Sequence, residues 1–461
     1  MADDPYVIPK LCKPGQFYNR TKGYRKIAGD VCVAGFEKQF LPDIIPCPFE
    51  EVQEFILFAQ RDKIGRFNLL TATKDELPVS NLKNVIAIDF DMQNNCVFWA
   101  DIVEDNIGRQ CLKGGKPNEI LVSSNLSSVE GMAYDWISHN LYFVDGMRAV
   151  IELIRTDIPH LRHIRKIILS PPILKKPRGI AVHPVAGYLF WTDWSTENPS
   201  VSRSNLDGSD VMQLFKQPVV QWPNGIAIDH IAERIYWVDA REDYIGSSDL
   251  HGKMFKKIIE KDEFVAHPFS VAIFKDTMYW DDWKRNAIFR ADKDRGIDVG
   301  SLAHQLSGLM DLKVYAHGLQ IGSNACVNAT CPYICVAKPE QQGFSCLCPD
   351  GMFPDEGGNK CLCPGNVEPH LNMSCPEIES TCGPDYFICG NNLCISKSWR
   401  CDGDRDCADG QDEMNCTKIT CGSNAFTCGD GKCIPYYWKC DYDKDCSDGS
   451  DELDCPKQVF L

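Results

Sequence analysis

The sequence predicts a mainly β protein: a six-bladed β-propeller followed by small disulfide-rich modules. Three observations point there. Tetrads of the form aromatic, aromatic, any residue, Asp recur at Phe98-Trp99-Ala100-Asp101, Tyr142-Phe143-Val144-Asp145, Phe190-Trp191-Thr192-Asp193, Tyr236-Trp237-Val238-Asp239 and Tyr279-Trp280-Asp281-Asp282, their first residues 44, 48, 46 and 43 positions apart. A fixed period in that range marks an array of one supersecondary unit. Short apolar strands separated by turn residues fill each period, which indicates antiparallel sheet. Of the 25 cysteines, 18 lie C-terminal to the tetrads in three clusters of six, the density of disulfide-stapled modules in an oxidising compartment.

Composition limits the function classes. A net charge of −16 over 461 residues argues against nucleic acid and favours cations, including metal ions and basic protein surfaces. No stretch of about 20 apolar residues is present, so no membrane span is expected. Sequons at Asn19, Asn125, Asn328, Asn372 and Asn415 fit an extracellular or lumenal chain, Asn415 less well because Cys416 fills its middle position.

Residues 1–50 are Pro/Gly-rich and hold Cys12, Cys32 and Cys47. Three cysteines cannot all pair among themselves. Either one partner lies upstream or one thiol is free, and an upstream partner is the expectation. The start, Met1-Ala2-Asp3-Asp4-Pro5, is acidic and lacks the apolar run of a signal peptide. Extracellular composition without a secretion signal, with an odd cysteine count, makes an internal piece of a longer protein the expectation.

Residues 51–320 hold the array. Each unit opens with a short apolar strand, such as Gly225-Ile226-Ala227-Ile228-Asp229, and continues through a turn to the tetrad and a third strand. Glu54–Ala59 reads as a degenerate tetrad strand and Met310–Tyr315 as a late first strand; together they supply a sixth blade from both ends and leave no open edge. Alternate strand residues face opposite ways, so one tetrad aromatic fills the gap to a neighbouring blade while the next faces the other side. Five copies of the Asp at one spacing suit a structural hydrogen-bond acceptor better than a catalytic base. Cys96 and Cys111 flank the first tetrad on adjacent strands, where a Cys96–Cys111 disulfide is expected rather than two buried thiols.

Residues 326–361 place six cysteines as C-x4-C-x3-C-x10-C-x-C-x12-C, a spacing that leaves all 15 pairings open. Cys363 and Cys375 follow in a linker (363–381) and could close a small loop. Residues 382–416 and 421–455 are two copies of C-x6-C-x4-C-x6-C-x5-C-x8-C. From 382 to 455 there are 15 acids and 7 bases, net −8, so half of the chain's charge sits in 74 residues.

A unit of 35 residues cannot bury enough core to fold alone. Disulfides help, but so many carboxylates in one short loop repel each other. A bound divalent cation resolves that conflict better than a merely solvated loop. Calcium takes six to eight hard oxygen ligands, chiefly carboxylates and carbonyls, and its binding is then coupled to folding.

Both units resemble class A repeats of the low-density-lipoprotein receptor family. The resemblance implies one calcium per repeat, with side-chain ligands Asp402, Asp406, Asp412 and Glu413 and the carbonyls of Trp399 and Asp404 in the first copy. In the second it implies Asp441, Asp445, Asp451 and Glu452 with the carbonyls of Trp438 and Asp443. Gln411 and Tyr442 depart from the commonest residues, though neither is a side-chain ligand in the pattern. The implied disulfides are Cys382–Cys394, Cys389–Cys407 and Cys401–Cys416, then Cys421–Cys433, Cys428–Cys446 and Cys440–Cys455. The family docks a ligand lysine between a Trp and three carboxylates, here Trp399 with Asp402, Asp404 and Asp406, and Trp438 with Asp441, Asp443 and Asp445. The alternative is that the two Trp residues only shape the calcium site.

The tetrads, with Trp222-Pro223-Asn224-Gly225, resemble the six-bladed YWTD propeller of the same family. The 321–362 stretch resembles an epidermal-growth-factor-like domain, which implies Cys326–Cys335, Cys331–Cys346 and Cys348–Cys361. Residues 321–325 lack the acidic calcium motif of some such domains, so no calcium is expected there. Gly15–Cys32 and Cys47-Pro48 resemble the end of the cysteine-rich module of the sortilin family, and joining that tail directly to such a propeller narrows the resemblance to one receptor type.

The resemblance implies the ectodomain piece of a single-pass sorting and endocytic receptor of Golgi, endosome and plasma membranes. It would bind proteins with exposed lysines or basic patches and release them at low pH or low calcium. Ten histidines, among them His139, His183, His230, His251 and His267, could add a pH response without one standing out. The alternative is a secreted or matrix scaffold binding partners through the propeller face. No nucleophile motif, triad order or histidine-rich metal site supports an enzyme.

Overall fold

The structure, a computed structural model, describes residues 17–20, 43–46, 54–77, 79, 81–111, 118–158, 164–355, 360–364 and 366–370 and shorter runs from 375 to 455. They divide into two compact units, 1–350 and 351–461. Cys12, Cys32, Cys47, Asn372, Asn415, Cys382, Cys416 and Cys421 lie outside the described residues. Near the N-terminus, Phe17–Arg20 pairs antiparallel with Asp43–Pro46.

Six four-stranded antiparallel sheets make the propeller. The first five begin with the strands Val85–Asp91, Val129–Asp135, Pro177–His183, Pro223–Asp229 and Pro268–Phe274, and the tetrad ends the second strand of each. The sixth joins the two ends of the array, as expected: Leu309–Tyr315 pairs with Phe55–Gln60, followed by Lys63–Asn68 and Lys74–Glu76. Among the described residues of the array, every sheet is thus four strands wide.

All ten tetrad aromatics are buried. The first of each pair faces the next blade. Phe98 packs with Val129 and Met132, Phe190 with Ile226 and Ile228, and Tyr236 with Val271 and Ile273. The second faces back: Trp99 packs with Phe55 and Leu57 of the sixth blade, Trp237 with Tyr188 and Phe190. Period-2 alternation therefore converts adjacent aromatics into the mortar on both sides of one blade. Room for the second ring comes from the facing strand. Trp99 pairs with Gly108 and Trp237 with Gly246, and a Cβ added at Gly108 would stand 2.2 Å from Trp99 Cζ2.

The tetrad carboxylates fasten loops. Asp239 is fully buried and accepts from the N–H groups of Gln221 and Trp222, ahead of the first strand, and of Arg241 and Glu242, after its own. Asp101 does the same with Lys83, Asn84, Val103 and Glu104. In the sixth blade the register puts Gln60, one residue beyond the expected Glu54–Ala59 stretch, at the Asp position. Its Nε2 donates to Ser307 O at 2.8 Å, so an amide holds from the donor side what the carboxylates hold as acceptors.

The first strands line the central channel. Asp89 accepts from Tyr134 N of the second blade at 2.7 Å, and Asp311 accepts from Ile88 N of the first at 3.0 Å and from Ser270 Oγ of the fifth at 2.9 Å. Burial pushes the Asp89 carboxyl up to about 6, against the pull of Lys313. These carboxylates tie neighbouring blades together across the ring closure.

Residues 320–350 of the same unit cover the end of the propeller where first strands turn into second strands. Ile334–Ala337 pairs with Phe344–Leu347, and disulfides join Cys326 to Cys335 and Cys331 to Cys346. Asn140 Nδ2 donates to Cys335 O at 2.7 Å. The structure also joins Cys96 to Cys111 across paired strands, and in the second unit Cys363 to Cys375. Cys348 is disulfide-bonded, as is Cys361.

Candidate metal and ligand sites

Each acidic repeat is built from one short hairpin, a disulfide-bonded core and a 3-10 turn that carries an adjacent Asp-Glu pair. In the first, Tyr386–Ile388 pairs with Cys394–Ser396, followed by a 3-10 turn Lys397–Trp399. Cys389, Ile395 and Cys407 form the core, with Cys389 bonded to Cys407. The second repeats this with Ala425–Thr427, Cys433–Pro435, and a core of Cys428, Ile434 and Cys446, with Cys428 bonded to Cys446 and Cys440 to Cys455. Cys394 and Cys401 are disulfide-bonded as well.

The acids then fall in matched places. Asp412 and Asp451 are both 0% exposed, each at the centre of a 3-10 turn (Gln411–Glu413 and Ser450–Glu452). The carbonyls of the same residues accept from Cys401 N at 3.0 Å and Cys440 N at 3.1 Å. Those cysteines sit in the left-handed region, φ 64° and 67°, which turns the chain back over the acids. Asp412 Oδ2 accepts from Asp406 N at 2.6 Å. Burial works to raise the Asp412 carboxyl, but the N–H donors of Asp406, Cys407 and Glu413 outweigh it and hold the group below its usual value.

Main-chain donors compensate the Asp412 charge, and the adjacent Asp-Glu pair in each turn supplies hard oxygens of the kind a divalent cation takes. Asp412 and Glu413 of the first set and Asp451 and Glu452 of the second lie in these turns, and Asp406 lies outside them, joined to Asp412 through its N–H. Asp402, Asp404, Trp438, Asp441, Asp443 and Asp445 lie outside the described residues. Among the described residues no group of three His, Cys, Asp or Glu is gathered around one point. Trp399 is 50% exposed at the end of its turn, an indole offered to solvent rather than packed.

The propeller face, the alternative binding surface of the sequence analysis, carries a second candidate site of which only Trp222 and Asn224 stood in a quoted motif. It surrounds the channel mouth where second strands end. Arg178 Nε meets Glu130 at 2.8 Å and its Nη1 donates to Asn224 Oδ1 at 2.9 Å. Its guanidinium lies 4.4 Å from the Trp194 ring, and Phe269 stacks on Trp283 with centroids 4.1 Å apart. Trp222 and Trp283 stay 38% exposed. The available signal was an aromatic directly after the tetrad Asp, in Asp193-Trp194 and Asp282-Trp283.

Known proteins place these features. The low-density lipoprotein receptor repeat class B pattern matches residues 187–230 and 233–275, and the class A domain pattern matches 380–416 and 419–455. The rabbit (Oryctolagus cuniculus) sortilin-related receptor is 39% identical over 413 residues, 88% of this chain and 18% of that protein. The human one is 39% identical over 414 residues, 89% of this chain and 18% of that protein. The chain therefore spans under a fifth of the length of these relatives. Among solved structures, a chain in the crystal structure of a nidogen/laminin complex superposes with a TM-score of 0.51 and 28% identity, covering 57% of this chain and 98% of that one.

Proposed function

Because the chain is a homologue of one stretch of the sortilin-related receptors and carries class B and class A repeats of the low-density lipoprotein receptor family, we propose that it works as the ligand-binding ectodomain piece of a sorting and endocytic receptor. The observation that carries the reading is the pairing of a buried, ionised carboxylate, Asp412, with a half-exposed indole, Trp399, in one small module. Calcium, when bound, would supply the positive charge that lets the repeat's carboxylates sit together. Asp402, Asp406, Asp412 and Glu413 would hold it in the first repeat, and Asp441, Asp445, Asp451 and Glu452 in the second, with the carbonyls of Trp399, Asp404, Trp438 and Asp443.

The chain's own chemistry then docks a ligand lysine. An ammonium is a compact point charge with three donors. Asp402, Asp404 and Asp406 accept from it while the Trp399 face adds about 0.5–1 kcal/mol of cation–π attraction. Trp438, Asp441, Asp443 and Asp445 repeat the arrangement, and two weak contacts on one chain gain affinity through effective concentration. Release follows acid, because the carboxylates must stay deprotonated to hold the cation. The setting is extracellular or lumenal, and the parent is a single-pass receptor of Golgi, endosome and plasma membranes. Its relatives are receptors, which points away from an enzyme.

The test is binding of a lysine-rich protein to the full chain at pH 7.4, at pH 5.5 and in chelator. Binding falls in the last two. Trp399→Ala weakens it about 2- to 5-fold, the cation–π share. Equal binding under all three conditions sinks the reading.

A second reading rests on the aromatic mouth around Arg178, Trp222 and Trp283 and on the likeness to the nidogen/laminin structure. In it the chain belongs to a secreted or matrix scaffold that binds through the propeller face. Binding that survives chelation but is lost in Trp283→Ala favours it.

A further inference from the structure

The turn that joins the first two strands of the second blade leaves three buried oxygens without hydrogen-bond partners. They are Asp135 Oδ2, Ser138 Oγ and Asn140 Oδ1, on residues 0%, 8% and 0% exposed. Asp135 and Asn140 stand directly opposite each other where the hairpin closes, an arrangement that sets Cβ atoms about 5 Å apart on one face. Their other polar atoms are already committed. Asp135 Oδ1 accepts from Ile137 N and from Ser138 N, both at 3.0 Å. Asn140 Nδ2 donates to Cys335 O at 2.7 Å, which assigns the amide orientation. The Ser138 hydroxyl lies close to the Asp135 carboxylate without lining up a bond to it. Two acceptors on one rung with no donor for either cost free energy when buried.

The fourth blade shows what such a carboxylate takes. Asp229 ends its first strand as Asp135 ends that of the second blade, and Asp229 Oδ1 also accepts from the N–H groups two and three residues on, those of Ile231 and Ala232. Asp229 Oδ2 then takes the Lys293 ammonium of the next blade at 2.6 Å. Lys293 directly follows the third strand of the fifth blade. The matching place after the third strand of the third blade holds Leu206, 0% exposed, which brings no charge to Asp135. His139 acts on Asp135 more weakly than burial or the turn's own donors do. Asp207 adds negative charge, acting together with Asp135 on the Tyr142 phenol, whose O–H donates to Leu206 O at 3.0 Å.

We propose that this turn is a calcium site, in which Asp135 Oδ2, Ser138 Oγ and Asn140 Oδ1 take a bound cation where the fourth blade uses the Lys293 ammonium. Carboxylate, hydroxyl and amide oxygens are hard donors with no nitrogen or sulfur among them, the set that calcium takes. Calcium completes its shell with water and accepts irregular geometry, whereas magnesium demands a near-octahedral site. Water reaches the turn, because Ser138 also lines a cavity of about 500 Å³ between the second blade and residues 326–335. Arg155, on the same cavity, is committed to Asp157 and to Tyr333 O. A single carboxylate puts the affinity at the weak end, about 10⁻⁴ to 10⁻³ M, the range of extracellular modules. The cation fixes the Asn140 amide and through it the Cys335 carbonyl, so it tightens the seat of residues 334–337 on the propeller. This site is separate from the acidic repeats and does not depend on how they are read.

Hydrogen exchange of the full chain across a calcium titration, in sodium chloride at physiological ionic strength, reads the site by position. Protection of backbone amides in 137–140 and 334–337 rises with a midpoint of about 10⁻⁴ to 10⁻³ M calcium, while the tetrad strands hold theirs. Asp135→Asn keeps the acceptor for Ile137 N and Ser138 N and offers an N–H₂ donor to Asn140 Oδ1. It satisfies the turn without a cation, so the calcium response at 137–140 disappears and the exchange of 382–455 is unaltered. Ser138→Asp adds a second carboxylate and moves the midpoint at least about 3-fold lower, a gain that poor folding does not produce. Flat protection at 137–140 up to about 10 mM calcium, the full response in Asp135→Asn, or a rise that sodium gives as well as calcium overturns the site.

Discussion

At the scale of single residues, what a polar side chain does here depends on how many neighbours it satisfies. Asp239 and Gln60 occupy equivalent corners, but Asp239 serves four part-buried N–H groups and Gln60 one carbonyl. With about 1 kcal/mol for each stranded partner, Asp239→Ala destabilises the propeller by roughly 3 kcal/mol or more and Gln60→Ala by roughly 1 kcal/mol, measurable as a difference in urea midpoints. Asp281 is a different case. It fills the third tetrad place, which elsewhere holds Ala, Val or Thr, and burial pushes its carboxyl up to about 8. The folded chain keeps it protonated at neutral pH while the unfolded chain ionises it above about 4, so stability falls as pH rises from about 4 to 8. Asp281→Asn mimics the protonated acid. It raises Tm more at pH 8 than at pH 5, and an equal rise at both would remove the protonated carboxyl from the account.

At the scale of elements, the repeat carried most of the legible information. Adjacent aromatics at fixed spacing announced the second strand of each blade, because period-2 alternation forces the two rings to opposite sides. Tandem cysteine spacing announced the acidic modules equally well, and the acids at 412 and 451 do fall in equivalent turns. Less legible was everything that depends on facing strands. Gly108 reads as an ordinary strand glycine until its pairing with Trp99 appears. Gly108→Ala forces the indole aside and costs about 1–3 kcal/mol, the usual range for overpacking; an unchanged midpoint would show that the ring moves freely. The channel residues Asp89, Asp311 and Lys313 carried no local pattern at all. They are 222 and 2 positions apart in sequence, and only the ring closure brings them together. The mouth around Arg178 was hidden for the same reason, its aromatics coming from the third, fourth and fifth blades.

At the scale of the whole molecule, two kinds of stability stand side by side in one chain. The propeller rests on buried aromatics between six sheets. The repeats rest on disulfides and, on the reading proposed here, on a cation. On that reading acid would act on the repeats, whose carboxylates must stay deprotonated to hold the cation. The sixth blade adds a constraint of timing. Its apolar strand Phe55–Gln60 pairs with Leu309–Tyr315, about 250 residues later in the chain. At roughly 5–20 residues per second of synthesis, that strand emerges from the ribosome about 12 to 50 seconds before its partner exists. Until then Phe55, Ile56, Leu57 and Phe58, all buried in the finished fold, have nothing to pair with on that edge. The ring is therefore the last part of the propeller that synthesis can complete.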